Sequence, residues 1–192
     1  MINHLSGRLI EKNPAYIIVE CGGVGYFVNI SLNTFSKIGQ DEHMLILTHL
    51  QITEDAHTLY GFVDEDERRL FRLLITVSGI GCNTARMMLS SMTVPELESC
   101  IIHEEAKKLQ GIKGIGEKTA LRTILELKGK LKKDPSAISA PVGHFRVKDE
   151  AMSALLTLGF SRNAIDKTLE TILKKTPAAH VEDVIKDALK TL

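Results

Sequence analysis

Two short stretches of this chain place glycine, threonine and a polar or basic residue at the spacing of a phosphate cradle. They are VSGIGCNTA at residues 77–85 and GIKGIGEKTA at residues 111–120. Glycine lacks the Cβ that would hold a ligand away from the backbone, so main-chain N–H groups can come close to an anion. The second stretch nearly satisfies the P-loop pattern G-x-x-x-x-G-K-[ST], but Glu117 stands where lysine should follow Gly116. A P-loop also needs a buried strand before it, and the charged, helix-favouring HEEAKKLQ precedes Gly111. Gly79-Ile80-Gly81 starts a dinucleotide fingerprint, yet Thr84 occupies the third glycine position, and two such sites this close leave no room for full crossover units. The pattern that fits both stretches is apolar-x-Gly-apolar-Gly, the turn of a helix-hairpin-helix. There the central isoleucine plugs the core of the motif, and N–H groups at the start of the second helix face an anion. Backbone donors read phosphate and not base identity, so the chemistry is structure-selective binding of a nucleic-acid backbone. The candidate contacts are Gly79, Ile80, Gly81, Asn83 and Thr84 in the first turn, and Gly114, Ile115, Gly116, Lys118, Thr119 and Arg122 in the second.

The two turns belong to an internal repeat. Residues 77–92 and 112–127 align without gaps with five identities in sixteen, and Ala85, Met88, Leu89, Met92 and Ala120, Ile124, Leu127, Leu131 form matching apolar stripes. Two such turns can hold the two backbones of one duplex. Charge supports this placement. The chain as a whole is neutral, but residues 107–133 hold nine Lys/Arg against two Glu, the footprint of a polyanion partner.

The elements that must carry these turns change character along the chain. Residues 1–63 read as β: SGRLIEK, YIIVEC, GYFVNISL, MLILTHLQI and HTLYGF are short, branched or aromatic, and separated by turn residues. Five short strands in so few residues suggest a small closed barrel of the OB type. At DEDERRLF the period becomes helical, with Leu70, Leu74 and Val77 on one face, and residues 64–133 read as an all-α tandem helix-hairpin-helix domain. Residues 134–146, rich in proline, serine and glycine, read as a flexible linker. Residues 147–192 then read as three short helices, the first carrying Ala151, Leu155 and Leu158 and closed by LGF, with Ser161 as a cap for the second and Pro177 before the third, which ends on Leu192. So small a core suits a module that binds a partner.

Cys21, Cys82 and Cys100 are odd in number and widely spaced, which argues for a reducing compartment and against a zinc site or disulfide frame. No apolar run is long enough for a membrane span or signal peptide, so a cytoplasmic location and no membrane partner are expected. The seven histidines are scattered, and no Walker motif, metal cluster or nucleophile triad is visible. The expected chain is therefore non-catalytic, without a cofactor or metal of its own. Two other readings remain: a hairpin-bearing fragment of a DNA-repair enzyme, and a protein-interaction adaptor.

The order of motifs resembles the RuvA family of bacterial Holliday-junction-binding proteins: a start of the form MI-x-x-L-x-G-x-L-x-E-K, then GGVGY, TEDAHTLYGF and the two Gly-Ile-Gly turns, across the whole chain. The resemblance implies an α+β chain of three domains: an OB-fold barrel, a tandem helix-hairpin-helix domain and a tethered three-helix, UBA-like module. It implies a homotetramer, one or two per junction, holding four-way DNA open. It also implies a RuvB-like hexameric ATPase partner that uses the ATP, docked by the third domain through candidates Leu158 and Phe160, and a RuvC-like resolvase. Glu54 and Asp55, by composition an ordinary solvated hairpin tip, would by resemblance form an acidic pin that repels phosphates at the crossover. Two positions depart from the family pattern. Cys82-Asn83 replaces a common Pro-Lys, and Glu117 stands where lysine is common, so binding is expected to lean on backbone donors and to fall less steeply with salt.

Overall fold

The computed structural model describes residues 1–39, 41–131, 144–175 and 180–191. They fall into two compact units, within Met1–Ala137 and Ile138–Leu192. In the first unit five strands, β1 (His4–Asn13), β2 (Tyr16–Cys21), β3 (Val24–Ile30), β4 (His43–Ile52) and β5 (His57–Phe62), close a barrel in the order β1-β2-β3-β5-β4. All pairs are antiparallel except β3 with β5. A register shift between Leu9 and Glu11 leaves Ile10 as a bulge. It lets β1 coil so that His4–Arg8 pair with β4 and Arg8–Asn13 pair with β2, which closes the barrel. Alternate residues point inward: Ile17 and Val19, Val28 and Ile30, Ile46 and Leu59 fill the core. The short helix α1 (Leu32–Lys37) links β3 to β4, and Ser31 caps it by accepting from the Thr34 N–H at 2.9 Å.

From Glu65 the chain is helical: α2 (Glu65–Leu74), α3 (Cys82–Ser91), α4 (Val94–Ile102), α5 (Ala106–Gln110) and α6 (Glu117–Leu131). The expected stripes are buried, except that Met92 ends as the half-buried C-cap of α3. This core also takes in Tyr60 and Phe62 of β5, whose rings lie 5.2 and 4.9 Å from that of Phe71. Barrel and hairpins are thus fastened by shared apolar packing, not merely joined in sequence.

Two buried charges at the start of α2 add to the fastening. The Glu67 carboxylate accepts hydrogen bonds from Ser31 Oγ and, at 2.9 Å, from Thr34 Oγ1. Burial pushes its carboxyl above the usual range. Arg68 donates to the Asn3 carbonyl at 2.8 Å and to Asn3 Oδ1 at 2.9 Å, and pairs with Glu65.

The second unit holds α7 (His144–Thr157), α8 (Arg162–Lys175) and α9 (Val181–Thr191) around Ala151, Met152, Leu155, Ile165, Leu169, Val184 and Ala188. Helix α7 begins inside the stretch read as a linker; residues 134–143, Pro177 and Leu192 lie outside the described residues. Gly159, at φ +95°, ends α7 in a Schellman turn, with Phe160 N–H bonded to the Leu155 carbonyl at 3.2 Å and Gly159 N–H to Leu156 at 3.0 Å. That turn corrects one expectation. Leu158, placed on the apolar stripe by spacing, falls past the helix end and is 59% exposed, while Phe160 folds back onto the core.

Candidate nucleic-acid interface

The two glycine turns have the same backbone. In each, the residue before the tip accepts from the central isoleucine: Ile80 N–H to the Val77 carbonyl and Ile115 N–H to the Ile112 carbonyl, both at 3.0 Å. The first glycine of each pair is left-handed, Gly79 at φ +94° and Gly114 at φ +92°. Ile80 and Ile115 are 4% and 5% exposed and act as the expected plugs. The following helix starts alike in both copies, with Ala85 N–H bonded to the Gly81 carbonyl and Ala120 N–H to Gly116, each at 2.9 Å.

Only half of the glycines are explained by this internal geometry. Gly81 has an extended conformation, φ −86° and ψ 171°, open to any residue, and Gly116 is not among the left-handed glycines. A Cβ at Gly81 or Gly116 would meet nothing within 4 Å. Neither strain nor packing inside the chain asks for glycine there, and a bare position lets a ligand come close to the backbone. The same residues start α3 and α6, where the first N–H groups have no intrahelical acceptor. Glycine offers no side chain to accept from them, and α3 has no side-chain cap. Each turn therefore presents backbone donors at the positive end of a helix, with no Cβ in the way, a geometry that suits an anion.

The turns sit beside each other. A methyl on Gly79 would lie 3.8 Å from Thr119 Oγ1. Arg122 Nη1 donates to the Ser78 carbonyl at 3.4 Å, tying α6 to the first turn. Arg122 is thus more than a solvated charge: it bridges the two cradles.

Around the first turn the barrel supplies support. The Tyr60 hydroxyl donates to Asn83 Oδ1 at 3.3 Å, leaving the amide N–H donors for a ligand. The Cys82 thiol donates to Gln51 Oε1 at 3.4 Å, and burial pushes it up, so it stays protonated. Burial lowers His49, with the Arg72 charge adding to the effect, so the imidazole between β4 and Phe71 stays neutral. Thr84 and Thr119 are half-buried in the first helical turns, while Asn83 and Lys118 are exposed.

The remaining candidates lie elsewhere. Glu54 and Asp55 form the exposed tip between β4 and β5, closed by the Thr53 N–H to the Ala56 carbonyl at 2.9 Å. Leu158 and Phe160 belong to the second unit. Two residues outside the sequence-derived set prove relevant to the turns: Tyr60, whose partner lies 23 positions along the chain and is invisible to local pattern, and Lys113, exposed at the tip of the second turn. Its position in the apolar-x-Gly motif could have marked Lys113.

Among the described residues no helix is long and apolar enough to cross a membrane. No cluster of three or more His, Cys, Asp or Glu is placed to hold a metal among them.

Comparison with known proteins covers the same architecture. Residues 1–61 match the RuvA N terminal domain, 71–130 the SAM-like helix-hairpin-helix tandem, and 146–192 the RuvA C-terminal domain. The chain is 51% identical over 193 residues, all of both chains, to a protein of Christiangramia forsetii named Holliday junction branch migration complex subunit RuvA. It is 46% identical over 194 residues, again all of both chains, to the protein of the same name from Flavobacterium psychrophilum. To that from Chlorobium phaeobacteroides it is 41% identical over 197 residues, 100% of this chain and 98% of the relative. With a closed five-stranded barrel, paired glycine hairpins and a separate three-helix unit in that order, this chain belongs to the RuvA family.

Proposed function

We propose that this chain binds four-way junction DNA by structure and not by sequence. In this reading it holds the junction open as the non-catalytic subunit of a branch-migration complex, and the ATP is consumed by a RuvB-like hexameric motor. The observation that carries the reading is the pair of glycines, Gly81 and Gly116, that no internal contact requires and that leave two adjacent helix N-termini open to phosphate. Two cradles on one compact unit suit the two backbones of a duplex arm and ignore its bases.

The further parts of the reading are a homotetramer, one or two per junction, a RuvC-like resolvase partner and a cytoplasmic location. Exposed apolar side chains on the barrel (Phe27, Leu45, Ile52) and on α6 (Leu121, Leu125) offer surface that self-association would cover. In a tetramer the exposed Glu54 and Asp55 tips would gather at the crossover and repel its phosphates. Leu158, apolar and exposed beside the Gly159 turn, suits a contact with the motor.

Gel shifts with a four-way junction and a matched duplex test the core of this proposal. A marked preference for the junction is expected, and equal affinity for both would end it. Mass measurement with and without junction counts the copies. Cleavage of the junction by the purified chain would instead favour the repair-enzyme reading.

A further inference from the structure

The two cradles share a backbone but not a charge. From Val77 to Ala85 the first carries no ionisable side chain except the protonated Cys82 thiol. The next cation, Arg86, is turned to the barrel, donating to the Ala15 carbonyl at 2.9 Å and to Asn29 Oδ1 at 3.2 Å. The second cradle carries Lys113, Glu117, Lys118 and Arg122.

Lys113 occupies a particular place. The Ile112 carbonyl and Ile115 N–H close a tight turn whose two central residues are Lys113 and left-handed Gly114. Its counterpart in the first copy is Ser78. Two nearby cations are spoken for: Lys108 pairs with Glu105 at 2.7 Å, and Lys128 pairs with Glu104. Lys113 and Lys118 have no ionic partner among the described residues, although the Glu117 carboxylate stands in the first turn of α6. Glu117 favours the helix dipole but would repel a phosphate at the same N–H groups. Only Ile115 and Gly116 separate the Lys113–Gly114 tip from that helical turn, so an ammonium on a flexible four-carbon stem can reach an anion seated there and offset Glu117.

We propose that Lys113 is a phosphate-contacting residue of the second cradle, and that this cradle carries the salt-sensitive part of junction binding while the first grips through neutral donors. The proposal rests on the junction-binding reading above.

The test measures junction affinity against salt for the full chain and for the variants K113A, K113R, N83A and G116D, with thermal melts to confirm folding. K113A is expected to weaken binding by about eightfold at 0.1 M salt for each chain engaged, and to reduce the slope of log K against log salt by about 0.9 per chain. K113R keeps the slope. N83A weakens binding with the slope unchanged. A K113A chain that binds within twofold of wild type at an unchanged slope overturns the role of Lys113. A G116D chain that also binds like wild type overturns the hairpin reading itself, which separates the two failures.

Discussion

Helices α3 and α6 begin with bare donors, whereas α1 and α4 begin sealed. At α4 the Glu96 carboxylate accepts from the Thr93 N–H at 2.8 Å and from Thr93 Oγ1 at 2.7 Å. Those bonds hold its carboxyl below the usual range. At α1 the Ser31 hydroxyl accepts from the Thr34 N–H and donates to buried Glu67. At these two starts the chain spends a side chain on the cap, although α2 and α5 begin at Asp64 and Glu105 without a side-chain cap bond. Where glycine replaces the cap, no side chain is there to accept, and in the proposed reading an acceptor from outside the chain completes the geometry.

The sharpest way to break this contrast is to seal an open end. Gly116→Asp or Gly81→Asp installs a cap at a position with room for it and ordinary φ at Gly81. The helix should gain a few tenths of a kcal/mol. Junction binding should fall on the order of 100-fold or more, because a carboxylate then sits where phosphate belongs. A melt and a gel shift on the same sample decide it. A variant that is more stable and binds normally would detach these N-termini from function.

Removing the group that holds the α1 cap residue is the converse. Glu67→Ala leaves the Ser31 and Thr34 hydroxyls without their acceptor inside the barrel–helix junction, and should cost roughly 2 kcal/mol in denaturant unfolding. Junction affinity, measured where the variant is folded, should stay near wild type, since neither hydroxyl belongs to a cradle.

The acid behaviour of Glu67 and Glu96 should have opposite signs. Glu67 has a folded pKa raised by burial, so its contribution is full below its unfolded pKa and is lost as pH rises through the folded value. Glu96 has a depressed folded pKa, so its contribution is present above its unfolded value and is lost as pH falls through the folded one. Glu96→Gln should flatten the acid limb of a stability profile, and Glu67→Gln should remove a decline on the other side of the carboxylate range. Melts from pH 3 to 7 read both.

Much of this was legible beforehand, and the rest was hidden for physical reasons. Strand alternation, the apolar stripes and the repeat are local patterns with fixed periods, so they gave the barrel, the helices and the paired turns. The division of labour between glycines was not legible. Gly79 and Gly81 look alike as letters, and only φ separates the one the fold needs from the one it leaves bare. Glu67 and Arg68 sat in a run of charges that reads as solvated surface. Their partners Ser31, Thr34 and Asn3 come from the start of α1 and the segment before β1, so closure of the barrel and not local pattern buries them. Leu158 misled because helical spacing was extended past a turn that Gly159 makes with positive φ.

The smallest expected effect probes how a neutral cradle is tuned. Tyr60 packs its ring against Phe71 and donates its hydroxyl to Asn83 Oδ1. Tyr60→Phe keeps the packing and removes the donor, so stability should change by less than about 1 kcal/mol. The amide of Asn83 can then rotate, and its N–H donors are no longer held toward solvent. Binding should weaken by roughly two- to tenfold, the worth of one hydrogen bond. Rotation of one amide has a distinctive consequence in a double-mutant cycle. Tyr60→Phe should add little in an Asn83→Ala background, because the group that Tyr60 positions is already gone. Fully additive losses would mean that Tyr60 acts on the junction by some other route, and that the first cradle rests on its backbone alone.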